Sequence, residues 1–198
     1  MFMIDPYKIF WCRFTDYYKH CDNMALRGAT YHFVWNNKQP ENYEHPSEFE
    51  GCVYVGLSAD SYVERNGARF KPRGHLHKRM TSHHKPLTTG ILPKGEEEKY
   101  KLFIDSYGYG DDVLNGVNRE IVLWLCLLIP APNVPDELIR TWVFNQESQS
   151  ILKYAMKWGY TPLMNIDRKS NNHRKEDSFS ERIRNGNHLK ELPFIDVA

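Results

Sequence analysis

Long apolar runs are missing from this chain of 198 residues: the longest, residues 121–129, is nine residues. A bilayer needs about 20 consecutive apolar residues, so no spanning helix is expected. Net charge is close to absent at +1, which on its own says nothing for a polyanionic partner. The four cysteines, Cys12, Cys21, Cys52 and Cys126, form no C-x-x-C pair and stand in apolar or aromatic surroundings. Buried free thiols in a reducing compartment are the expectation. The N-terminus has no basic stretch followed by an apolar one, so no signal peptide is read and a soluble, cytoplasmic protein is expected. No internal repeat is found.

What the chain does have is core material and an uneven charge. Its 41% hydrophobic and 14% aromatic content suits one folded domain with terminal elaborations. Between Arg65 and Lys85 stand seven Lys or Arg, four His and no acidic residue, while glutamates gather at 41–50 and 96–98. A near-neutral chain with one strongly basic stretch points to a local anion-binding surface.

Element by element, residues 6–20 read as an aromatic helix and residues 29–35 as a strand. Residues 36–50 form a polar loop, 51–57 a second strand, and 74–84 a helix with Leu76 and Met80 four apart. Residues 100–107 read as a third strand, and 113–129 as a central core helix stopped by Pro130. Two short helices follow at 135–144 and 148–158, the latter ended by Gly159, and then a polar, basic arm from 165 to 187. The expected class is α/β (α+β): a small central sheet flanked by helices. A core over 29–145 would carry a helical N-terminal extension, 1–28, and a C-terminal helix with its arm, 146–198.

Several residue groups carry possible chemistry. In a helix, Arg79 and His83 lie one turn apart on one face, a phosphate-facing pair. Tyr31 and Tyr54 stand in the two strands, where tyrosines also serve as ordinary core. Glu120 sits at the mouth of the expected core helix, where a carboxylate also complements the helix dipole. The histidines His75, His77, His83 and His84 suggest zinc, although ligands from one helix cannot easily surround a metal. Cys126 lies inside an apolar run and reads as inert.

Taken in order, Ala29-Thr30-Tyr31, Tyr54-Val55-Gly56, the R-x-x-x-H of Arg79 and His83, Glu120 and Asn133 resemble the motif series of the GIY-YIG nuclease family. The likeness covers residues 29–133, about half of the chain. The first motif departs from Gly-Ile-Tyr, and 22 residues separate Tyr31 from Tyr54. The R-x-x-x-H pair, the long inter-strand insertion and the compact chain are most similar to the family's restriction endonucleases.

The resemblance implies a Mg2+-dependent (or Mn2+-dependent) endonuclease hydrolysing double-stranded DNA, as a homodimer at least on DNA, and no membrane partner. It gives Arg79 the phosphate oxygens, Glu120 the metal, and Asn133 the place of the downstream asparagine. It makes Tyr31 the first candidate for the base or water-orienting group, with Tyr54 and His83 assisting, and nearby cations would favour a phenolate. Lys71, Arg73, Lys78, Lys85, Arg168, Lys169, Arg174 and Lys175 are the expected DNA-phosphate contacts. A nicking enzyme of homing or repair type and a non-catalytic nucleic-acid-binding protein are the alternative readings.

Overall fold

The computed structural model describes residues 7–21, 28–59, 63–65, 68–70, 75–117 and 119–165. Its frame is a four-stranded antiparallel sheet. The strands are β1 (Tyr7–Arg13), β2 (Gly28–Asn36), β3 (Cys52–Ala59) and β6 (Val122–Pro130), in the order β1-β6-β2-β3. A separate two-stranded hairpin pairs β4 (Val63–Arg65) with β5 (Ala68–Phe70). The helices are α1 (Tyr17–Cys21), α2 (His75–Thr89), α3 (Glu97–Tyr107), α4 (Asp111–Leu114) and α5 (Ile139–Trp158). The α+β class with a small central sheet is therefore observed. Among the described residues no helix is long and apolar enough to cross a membrane.

The apolar run expected as a core helix is instead β6, in the middle of the sheet. Gly116, at a φ of 71°, turns the chain out of the short α4, and the run that follows alternates between two cores. Leu123, Leu125 and Leu127 enter one core with Tyr31, Phe33, Met80 and Phe103. Trp124, Cys126 and Leu128 enter the other with Trp11, Val34, Val55 and Tyr154. A strand covered on both faces needs apolar side chains at every position, so it loses the alternation that would have marked it and resembles a buried helix. Of the helices, α2 and α3 cover the first face and α5 the second.

Three further expectations are corrected. The N-terminal helix is the edge strand β1, which pairs with β6 from Tyr7↔Pro130 to Arg13↔Trp124, so this segment is part of the sheet. Residues 100–107, expected as a strand, belong to α3. Tyr100, Phe103, Ile104 and Tyr107 recur at helical spacing and pack on the first core. The two short helices after β6 are one, α5, ended by Gly159 in the left-handed region at a φ of 83°.

The long β2–β3 connection is held down by α5. Tyr154 Oη donates to the Glu50 carbonyl at 2.7 Å, Ser47 Oγ to the Ser150 carbonyl at 2.9 Å, and Lys157 pairs with Glu48. A polar connection of this length stays ordered because its backbone finds partners on the helix.

Under α5 lies His32 of β2, fully buried with neither ring nitrogen hydrogen-bonded. Its ring meets that of His45 edge-on at 6.0 Å. Burial holds the His32 imidazole well below its usual value and, helped by Lys153, brings His45 down to about 4. Both folded values are depressed, so the unfolded chain takes up protons first. Stability is full above about pH 6.5 and is lost as pH falls, at up to about 1.4 kcal/mol per pH unit for each imidazole. Urea denaturation at pH 7.5 and pH 5 is expected to show this loss. His32→Leu should reduce it and add about 1 kcal/mol at pH 7.5, since no hydrogen bond is given up.

Candidate active site

Where α2, α3 and α5 meet over the edge of β3, the structure leaves a polar pocket of about 210 Å³. Tyr54, Arg79, His83, Glu96, Lys99 and Glu147 line it, with Ser82, Val55, Met164 and Asn165 completing the wall. Four secondary-structure elements and the segment after α5 thus contribute to one site.

Helix α2 supplies the first pair. Leu76, Met80, His83 and Leu87 form its buried stripe, and His83 is 3% exposed. Arg79 stands beside that stripe at the surface, so the two residues reach the pocket from different depths. Pro86 removes the N–H that would bond the Ser82 carbonyl, loosening the ladder at the turn that carries His83.

His83 is held between two phenols. Its Nε2 lies 2.9 Å from Tyr31 Oη and its Nδ1 lies 2.7 Å from Tyr100 Oη. The ring of Tyr54 lies 5.9 Å from that of Tyr31, centroid to centroid, and 5.0 Å from that of His83. Tyr54 lines the pocket, whereas Tyr31 is 1% exposed and stands behind it. Gly56 makes this arrangement possible. A Cβ there would come within 2.6 Å of Tyr31 Cζ and 2.7 Å of its hydroxyl. The glycine of the Tyr54-Val55-Gly56 motif is thus required by the cross-strand pairing of Tyr31 with Gly56, not by any unusual backbone angle.

Burial decides the charge states. It raises the Tyr31 phenol well above its usual value and pushes Tyr54 up to about 12, although Arg79 pulls both down. The expectation that cations would leave a phenolate is therefore corrected: desolvation is the larger effect. Burial likewise raises the Glu147 carboxyl to about 7, against the pull of Arg79 and Lys99. Lys99 is 8% exposed, with Nζ 4.0 Å from the Tyr54 ring centroid and 3.6 Å from Glu96. Among the described residues Arg79 has no ion-pair partner, which leaves its fork of donors open to the pocket.

Asn165 finishes the rim. Its side-chain amide accepts from Val55 N at 2.8 Å and donates to Val55 O at 2.6 Å, while Met164 N donates to Val53 O at 2.8 Å. A side chain and a short segment so satisfy the open edge of β3.

Tyr31, Tyr54, Arg79 and His83 are therefore brought together, and Glu120 and Asn133 are not. Both are exposed, one just before β6 and the other just after it. A strand of nine residues, rising about 3.3 Å per residue, stands between them and puts them at its opposite ends. The pocket does contain a carboxylate from α5, Glu147, and an amide from the segment after it, Asn165. The signal for Glu147 was the order of elements. With residues 122–130 taken as a strand, the glutamate of the helix that follows is Glu147. Lys99 and Tyr100 had no signal once α3 was taken as a strand.

Lys78 and Lys85 are exposed on α2. Lys71, Arg73, Arg168, Lys169, Arg174 and Lys175 lie outside the described residues. The histidine cluster disperses, since His83 is tied to the tyrosines while His84 stacks on Phe14 and faces Asp111 at 3.7 Å. Among the described residues no group of three or more His, Cys, Asp or Glu is placed to hold a metal. Cys12, Cys52 and Cys126 are buried, and burial raises the Cys126 thiol. Compared with protein families, with characterised proteins and with solved structures, the chain has no match.

Gly56→Ala tests the packing of the site. It should destabilise the fold by about 1–3 kcal/mol, the usual range for overpacking, and shift the His83 imidazole resonances as Tyr31 is pushed aside. Unchanged stability and spectra would mean that Tyr31 does not depend on the missing Cβ.

Proposed function

We propose that this chain is a GIY-YIG-type endonuclease that hydrolyses double-stranded DNA with Mg2+ or Mn2+. The observation that carries the reading is the convergence of Tyr54, Arg79, His83 and Glu147 on one pocket, backed by the Tyr31–His83 bond. Phosphodiester hydrolysis requires relief of phosphate charge, a cation near the leaving oxygen and a route for the proton of the attacking water. The residues of the pocket are suited to each.

Arg79 presents forked donors to the phosphate oxygens. Glu147 is the carboxylate that would hold the metal, with Glu96 beside the same pocket. Such an ion takes one or two protein carboxylates and fills its remaining positions with phosphate oxygens and water. A half-buried carboxyl that burial keeps near neutrality is short of positive charge, which fits that role. When bound, the ion would neutralise charge building on the leaving oxygen.

For the proton, no standing phenolate is needed. Tyr54, on the pocket wall, orients the water, whose proton ends on His83 of the same wall. Hydroxide and an imidazolium result, so charge is conserved.

The approach to the pocket suits a polyanion. A groove of about 590 Å³ along α2 has Lys78 and Lys85 on its wall with His77, Thr81 and Ser82, over a floor that includes Pro86, Ile91 and Pro93, and Ser82 also lines the pocket. Lys78 and Lys85 lie two turns apart on the helix, about 10 Å, a spacing that follows a phosphate backbone. As a restriction-type enzyme the chain would act as a two-fold dimer on palindromic DNA, one pocket per strand.

The direct test is incubation with unmethylated phage DNA and supercoiled plasmid, with Mg2+ or with EDTA. Discrete Mg2+-dependent fragments are expected, whereas nicking alone would favour the homing or repair type. Glu147→Gln should lower cleavage by about 100-fold or more while keeping the gel shift. Glu120→Gln should cleave within a few-fold of the parent. A Glu147→Gln protein that cuts normally would overturn the site assignment. Binding without cleavage by the parent would leave a nucleic-acid-binding module.

Phosphate contacts are tested separately. Replacing Lys78 and Lys85 by alanine should reduce the slope of log affinity against log salt by about 2, with little dependence on sequence.

A further inference from the structure

The last glutamate of the β2–β3 connection, Glu50, enters a second cavity of about 750 Å³, at the opposite end of α3 from the pocket of Arg79 and Glu147. Trp35, Tyr107, Tyr154 and Tyr160 give it aromatic walls. Among the described residues that line it, Glu50 is the only charged one. We propose that this cavity binds a guanidinium cation, the rings taking its faces and Glu50 its N–H fork. The inference does not depend on cleavage of DNA by the chain.

The rings form two pairs. Trp35 and Tyr107 lie 5.1 Å apart, centroid to centroid, and Tyr154 and Tyr160 lie 5.7 Å apart, edge to face. Trp35 and Tyr154 are buried and make a fixed floor, whereas Tyr107 is half-buried and Tyr160 is 37% exposed, within reach of a ligand. The neighbouring cations of the chain do not line the cavity. Arg119 donates to the Tyr107 carbonyl at 2.6 Å, and Lys157 pairs with Glu48 and lies over the Trp158 ring.

Glu50 is anchored by the second pair: its carbonyl accepts from Tyr154 Oη at 2.7 Å and its Oε1 from Tyr160 Oη at 3.3 Å. Among the described residues its carboxylate has no ion-pair partner, and its Oε2 has no hydrogen bond. Two hydroxyls on the wall, those of Tyr107 and of Thr161, likewise have no hydrogen-bond partner there, although Thr161 is only 4% exposed. Burial first, then Tyr160 and Glu50, raise the Tyr107 phenol, which keeps it a neutral hydroxyl. Acceptors gathered beside a lone negative charge suit a cation that carries several N–H groups. A guanidinium has five in one plane, and that plane stacks on aromatic rings. A permethylated ammonium would satisfy the rings alone, and a phosphate would meet Glu50 with charge of the same sign.

The experiment is 15N NMR of the full chain labelled at tryptophan, titrated with N-methylguanidinium at constant ionic strength and without DNA. The reporter is the Trp35 indole, and Trp35→Phe identifies its signal. A saturable shift with a Kd of about 1 mM is expected, the scale for one cation on a few contacts. Urea, which keeps the planar N–H groups without the charge, should bind at least about 10-fold more weakly. Glu50→Gln and Tyr160→Ala, both at exposed positions, should each weaken binding by about 10-fold while the rest of the spectrum is kept. No saturation by about 50 mM overturns the inference, as does urea binding equally well or an unchanged affinity in Glu50→Gln. The source of the cation is read by comparing L-arginine with a capped peptide that carries one arginine between glycines. Equal affinities assign the cavity to a free guanidino compound, and a peptide about 10-fold tighter assigns it to an arginine of a polypeptide.

Discussion

The pairing of β2 with β6 is the constraint on which the rest of the molecule depends. Both strands are buried on both faces, and each adds one row of side chains to each of two cores. This fixes which residues of β2 can be chemical. Tyr31 and Phe33 must face α2, whereas Thr30 and His32 must face α5, because side chains alternate and the register admits no slip without exposing an entire apolar row. Tyr31 reaches His83 because the pairing leaves it no other side.

The polar row on the α2 side is an uncommon use of a core. Two tyrosines and a histidine, each nearly or wholly out of water, satisfy one another directly. Buried polar groups are tolerated when every member has a partner, and such rows are stiff. On the other side of the same strand His32 shows the contrary case, buried without a partner and kept neutral by its surroundings. One strand therefore carries a histidine contact that is satisfied and a histidine that is only accommodated.

Much of the site was legible from local signals. Tyr31, Tyr54, Arg79 and His83 could be found because each lies in an element whose type is plain from its sequence: β-branched and aromatic residues for β2 and β3, and four-residue spacing for α2. The errors came from two apolar stretches. Residues 122–130, buried on both faces, have no period to distinguish strand from helix, and that single ambiguity put the expected carboxylate at Glu120, outside the pocket. In α3, the aromatic content of Tyr100, Phe103 and Tyr107 suggested a strand, while the spacing at 100, 103, 104 and 107 was that of a helix. Asn165 could not have been found at all, since its role depends on the unpaired edge of β3, a tertiary fact.

The clamp of Asn165 on Val55 has a consequence for the order in which the molecule comes into being. Chains emerge from the N-terminus, and the first half of this one already contains Tyr31, Tyr54, Arg79 and His83. The wall opposite them is 68 residues beyond Arg79 at Glu147, and the last piece of the rim comes later still at Asn165. Until that asparagine is made, the edge of β3 lacks its cover and the pocket lacks one side. The site is therefore completed late in synthesis, and a nascent or shortened chain ending before residue 147 would carry the cation, the tyrosines and Glu96 without the α5 wall that holds Glu147.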